Sequence, residues 1–261
     1  MAKIRRDFLP EDLQPVRQVQ AITASIAVQA CARTQETDWL LDLADQRDDI
    51  AGVIGWADFL SNQFDENLAR WQGRQYFCGL RAMLQDMPDP GAVMQHPVFS
   101  RNMIHLQKKG LVFDILLKSV QLPEAFAFCK KHDEYHMVLD HGGKPDIKNK
   151  SRESWLRELK KLAAFPHLSC KLSGLVTEAD WLTGEKSEII QYAKDIVDLF
   201  GPKRVLFGSD WPVCLLASSY ADVADLASEA MRENSPQEQA WMFGKTAISL
   251  YNLKLSCVGD V

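Results

Sequence analysis

The chain has 261 residues, 46% of them hydrophobic and 25% charged, with a net charge of −5. That composition belongs to a globular protein and excludes a disordered, collagenous or small disulfide-stapled chain. The acidic balance argues against nucleic-acid binding, which needs a basic face, and no apolar run approaches the ~20 residues that span a membrane.

A helical segment is expected at 11–20, ahead of the first strand. Short, near-continuously apolar runs then predict strands at Ser25–Ala30, Gly52–Trp56, Phe77–Met83, Leu111–Leu116, Met137–His141, Leu168–Leu172 and Arg204–Ser209. Such runs suit a parallel sheet covered on both faces. Helical stripes lie between them. Leu40, Leu41 and Ala44 follow Thr34 as a candidate N-cap; Leu122, Ala125, Phe126 and Cys129 share a face, as do Leu156, Leu159, Leu162 and Ala163. Ile189, Ala193, Ile196, Val197 and Phe200 form a further stripe, stopped by Gly201-Pro202.

Helix-to-strand connections are short (Arg47–Asp49, Phe165–His167, Gly201–Lys203), whereas strand-to-helix connections are long (Gln85–Val93, Gly142–Arg152, Gly174–Glu185, Trp211–Ser219). In a (β/α)8 barrel the strand-to-helix loops gather on the face that carries the chemistry. The expected class is therefore α/β, a TIM-type (β/α)8 barrel in one domain. Seven strands are one short of eight, and the helix near Glu11 reads as part of a first βα unit whose strand lies upstream of Met1. A doubly wound open sheet is the rival, but the turn after the first strand, Gln29-Ala30-Cys31-Ala32, lacks a Gly-rich phosphate-binding fingerprint.

The six cysteines stand far apart, without a Cys-x-x-Cys pair, and read as mostly buried thiols of a cytoplasmic protein. The first residues, with Lys3, Arg5, Arg6 and Asp7, form no signal peptide.

Polar residues at strand ends are the candidates for chemistry. Asp210, in Phe207-Gly208-Ser209-Asp210-Trp211-Pro212, is placed to be a general base or a metal ligand; the alternative is a cap of the following turn. His141 ends another strand beside Gly142 and Gly143, which leave room for a ligand. The other histidines (His96, His105, His132, His136, His167) fall on helices or on the short-loop side, and read as structural or solvated. Arg81 offers a fork for a carboxylate or a polarised carbonyl oxygen. Asp114 interrupts an apolar strand and must find a partner, so an Arg81–Asp114 ion pair and direct substrate contact are both open. Lys171 is a similar case, and Trp56, Trp181 and Trp211 either line a pocket for a sugar-like ring or belong to the core. Neither a Gly-x-Ser-x-Gly elbow nor a His-Glu-x-x-His helix is present, which removes serine-hydrolase and zincin chemistry.

Five segments resemble the amidohydrolase-related proteins of the sugar-lactonase group: Arg6–Leu13, Met83–Pro90, Asp140–Pro145, Lys171–Ala179 and Gly208–Cys214. The group includes L-fuconolactone and L-rhamnonolactone hydrolases and, more distantly, 2-pyrone-4,6-dicarboxylate lactonase. The resemblance implies a (β/α)8 barrel that opens a small-molecule sugar lactone to its aldonic acid. Asp210 would be the general base and His141 would orient water or substrate, or bind a metal. Arg81 would hold the carbonyl oxygen as charge develops, with Trp56, Asp114, Lys171 and Trp211 as further substrate contacts. No cofactor is required; if one divalent metal is bound, His141 and Asp210 are its ligands. Family members begin with a strand ending in His-x-His, and metal-dependent members of the superfamily carry a histidine at the fifth strand, where this chain has Asp114. These departures leave two other readings: an inactive barrel that acts as a binding protein, and a decarboxylase on the same scaffold. A homo-oligomer is compatible with the sequence.

Overall fold

The computed structural model describes residues 2–255. Its centre is a seven-stranded parallel sheet whose spatial order equals its chain order. The strands are β1 (Ser25–Val28), β2 (Ile50–Gly55), β3 (Phe77–Ala82), β4 (Val112–Ile115), β5 (Met137–Leu139), β6 (Leu168–Leu172) and β7 (Val205–Phe207). Helices at Thr34–Ala44, Phe64–Trp71, Pro97–Lys108, Leu122–His132, Arg152–Ala163, Lys186–Phe200 and Tyr220–Ala230 follow the strands in turn. The leading helix spans Pro10–Val19, with the proline in its first turn, where a missing N–H costs nothing.

All seven strands stand where the apolar runs placed them, but several are shorter at their polar ends. The run at Met137–His141 stops pairing at Leu139, because Asp140–Gly143 turns sharply and His141 takes a left-handed φ of 53°. Thr34 is the first helical residue rather than the cap, a position held by Arg33. The long loops at Gln85–Val93 and Gly174–Glu185 also contain helical turns, at Pro90–Gln95 and Leu175–Glu178.

Strand alternation builds two cores. Phe113, Ile115, Met137, Leu139, Leu172 and Val205 point outward into the main core beneath the helices. Val112, Val138 and Leu206 point inward, with Ile54 and Cys78, and close on Tyr251. Two residues further along the same strands, the inward positions become Asp114, Asp140 and Gly208. The interior thus has an apolar floor with a polar layer above it.

The sheet is strongly curled. Arg81 on β3 contacts both the Gln29 carbonyl beyond β1 and Asp140 beyond β5. Those strands stand four places apart, about 19 Å on a flat sheet, so one guanidinium spans them only if the sheet bends into a barrel-like wall. Among the described residues β1 and β7 are the two edges, and the segment Trp241–Lys245 packs against β7. Of the described cysteines four are buried and Cys31 is exposed, as the expectation of mostly buried thiols has it; Cys257 lies outside the described residues. Among the described residues no helix is long and apolar enough to cross a membrane.

Candidate active site

The polar layer gathers residues from five strand ends, those of β3 to β7. Asp114 and Asp140 are fully buried, whereas Arg81, His141, Lys171 and Asp210 each keep between 11% and 17% of their side-chain surface. The layer is therefore double: two hidden carboxylates below, and four groups that reach the mouth.

Lys171 bonds Asp114 Oδ2 and lies 2.8 Å from Asp140 Oδ1. Arg81 Nη1 donates to Asp140 Oδ2 at 2.9 Å. The Arg81–Asp114 pair considered from the sequence does not form; Arg81 pairs with Asp140, and Asp114 belongs to Lys171 and to Tyr251, whose hydroxyl donates to Asp114 Oδ1 at 3.1 Å. Lys171 and Asp114 share an inward parity on β6 and β4, and β5 supplies Asp140 between them. Two cations and two carboxylates balance, which is how charge survives below a barrel mouth. Burial works against the charged form of Lys171, but Asp114 and Asp140 outweigh it and raise its pKa. Burial likewise opposes ionised Asp140, yet Lys171, then Arg81 and His141, hold it well below the usual carboxylate range. Asp114 goes the other way, pushed up by burial against the pull of Lys171.

His141 and Asp210 stand above this layer. Both have left-handed backbones, with φ of 53° and 54°, a conformation that costs a non-glycine residue roughly 1–2 kcal/mol and concentrates at functional sites. His141 Nε2 faces Asp210 Oδ1 at 3.9 Å, too far for a direct hydrogen bond. On its other side, His141 Nδ1 lies 2.8 Å from Ser173 Oγ, which fixes the ring plane. Gly174 is required next to it: a Cβ there would meet His141 Nδ1 at 2.7 Å, and its φ is +66°. Burial lowers the His141 pKa, partly opposed by Asp210 and Asp140, so the imidazole is neutral at pH 7.

Asp210 does not cap the following turn with its side chain. Ser209 Oγ accepts from the Trp211 amide, and the Asp210 carbonyl accepts from Cys214. Trp211 is half-buried, its ring edge-on to Phe8 at 5.2 Å. Trp56 is also half-buried; its amide donates to Thr37 Oγ1, and that hydroxyl donates to the Trp56 carbonyl. Trp181 is 49% exposed on the loop after β6.

Sequence reasoning missed Asp140, Ser173, Gln29 and Tyr251. Asp140 and Ser173 carried a signal, since each continues the inward parity of its strand; Tyr251 carried none. A cavity of about 160 Å³ lies at the opposite ends of the strands, among Gln107, Glu134, His136 and His167, remote from this chemistry.

Among the described residues, no three His, Cys, Asp or Glu side chains are placed to hold one metal ion. His141 and Asp210 supply two donors, one fewer than a catalytic zinc site ordinarily has. Asp140, the nearest further carboxylate in sequence, is engaged by Arg81 and Lys171. The donor set therefore does not fit such a site.

Comparison with known proteins finds relatives over nearly the whole chain. A family model described as amidohydrolase matches residues 2–253. An L-fucono-1,5-lactonase of Burkholderia multivorans is 43% identical over 97% of this chain and 88% of its own length. A second L-fucono-1,5-lactonase, from Burkholderia ambifaria, is 33% identical over 96% and 87%. A crystal structure of a Burkholderia multivorans amidohydrolase with bound zinc superposes with a TM-score of 0.94, at 43% identity, covering 97% of this chain and 92% of that one. The chain belongs to the amidohydrolase family, in its sugar-lactonase group.

Proposed function

We propose that the chain hydrolyses a sugar lactone of the L-fuconolactone or L-rhamnonolactone type to its aldonic acid. The observation that carries this reading is the 3.9 Å gap between Asp210 Oδ1 and His141 Nε2. One water at roughly 2.8 Å from each group bridges that gap. Neutral His141 orients the water, and Asp210 takes its proton as the oxygen attacks the lactone carbonyl carbon.

Negative charge then develops on the carbonyl oxygen, and the cations that reach the mouth, Arg81 and Lys171, are its stabilisers. Their charge is already balanced by Asp114 and Asp140, so they are held in place before substrate arrives. When the tetrahedral intermediate collapses, the bond to the ring oxygen breaks, and the proton held by Asp210 passes to that oxygen. Trp56 and Trp211 offer apolar faces for the sugar ring. A lactone needs little activation, so a base and an electrostatic clamp suffice.

A pH-indicator assay over a panel of sugar 1,5- and 1,4-lactones tests this. Acid release above the spontaneous rate, fastest on a deoxyhexonolactone, is expected. No turnover of any lactone would overturn the reading and favour a binding role.

A further inference from the structure

We infer that Tyr251 is a positioning residue for the lactone hydrolysis proposed above: its hydroxyl fixes Asp114, and through Asp114 the Lys171 ammonium. Tyr251 follows the helix Thr246–Leu250 and comes from a part of the chain remote from every other residue of the site. It lies on the inner face of the sheet, its ring in the apolar floor with Ile54, Val112, Val138 and Leu206. Packing there asks only for an aromatic ring. The hydroxyl is extra, and its partner is Asp114 Oδ1 at 3.1 Å.

Asp114 is thereby held by both oxygens, one on Tyr251 and the other on Lys171. That leaves the carboxylate no freedom to rotate, and it dictates where the ammonium sits. Lys171 has three hydrogens. One goes to Asp114, and Asp140 Oδ1 makes a close ion contact off the line of a good hydrogen bond. The ammonium therefore keeps hydrogen for a guest at the mouth, where part of the side chain is accessible. Burial and the Asp114 charge raise the Tyr251 pKa, so the hydroxyl stays a donor. Without that donor a carboxylate oxygen is left bare in an apolar floor, and the carboxylate turns further toward Lys171, drawing the ammonium down from the mouth.

The test is Tyr251→Phe in the full chain, with kcat and KM measured separately. A hydrogen bond to a charged group supports a kcat loss of about tenfold or more, with KM within about twofold of wild type. In an Asp114→Asn background the same substitution should cause no further loss of kcat. Leu253→Ala is the structural control, because Leu253 packs against the floor beside Gly52 and its apolar side chain cannot hydrogen-bond Asp114. It should lower the thermal midpoint and leave kcat unchanged, and it keeps the inference testable if the Asp114 variant does not fold. Unchanged kcat in Tyr251→Phe, an equal loss in both backgrounds, or a matching loss in Leu253→Ala would overturn the inference. Turnover by the wild type separates these outcomes from failure of the lactonase reading, since a wild type inactive on every lactone sinks both.

Discussion

His141 and Asp210 face each other across the barrel mouth without touching, their nearest nitrogen and oxygen 3.9 Å apart. Each arrives on a left-handed backbone at the end of its strand. The gap matches the spacing that one bridging water requires, and in the proposed hydrolysis the neutral imidazole competes only weakly for the proton assigned to Asp210.

The ring plane of His141 depends on Ser173 and on the bare face of Gly174. Gly174→Ala should place a methyl 2.7 Å from His141 Nδ1 on a backbone with φ +66°. We expect a stability loss of about 1–3 kcal/mol and a fall in kcat of about 100-fold as the ring is displaced. Denaturant melts together with steady-state kinetics check it; full activity in this variant would mean that His141 has no fixed role.

Lys171 neutralises two fully buried carboxylates. Lys171→Met should therefore destabilise the fold by about 3–5 kcal/mol, since among the described residues Asp114 loses its ion-pair partner and Asp140 keeps Arg81 alone. Adding Asp114→Leu should restore much of that stability, and the double variant should remain inactive. Urea titration separates the two effects. A double variant no more stable than the single one would show that charge burial is not what the lysine offsets.

Acid should weaken the protein through His132. Its ring is buried against Phe128, and burial, helped by Lys131, lowers its pKa to about 4. The unfolded chain takes up this proton near pH 6.5 and the folded one only near 4. Stability is therefore complete above about pH 6.5 and declines as the pH falls toward 4. Unfolding free energies across that window, compared with His132→Gln, read out the contribution; an equally steep decline in the variant would place the sensitivity elsewhere.

The strands were legible because parallel strands covered on both faces must be apolar throughout, as Ile50–Gly55 is. Their polar ends were harder to bound. Asp140 and His141 look like a continuation of β5 until the turn is seen. Asp210, His141, Arg81, Lys171 and Asp114 could be named because a charged residue inside or just after an apolar strand stands out. Their pairing could not, because it depends on curvature: only a bent sheet brings Gln29 and Asp140 onto one guanidinium. Tyr251 was invisible for a related reason, being one aromatic in a short helical tail whose partner lies 137 residues away. The tryptophans divided as sequence could not foretell, with Trp56 and Trp211 mostly covered and Trp181 about half exposed.

Asp210 is the base of the proposed lactone hydrolysis. The most direct measurement is the rate on the best lactone of the panel for wild type and Asp210→Asn, with folding verified by circular dichroism. The kcat of Asp210→Asn should fall by about 10²–10⁴ while the melting curve stays close to that of the wild type. Turnover of the lactone by a folded Asp210→Asn protein at near wild-type rate would contradict it.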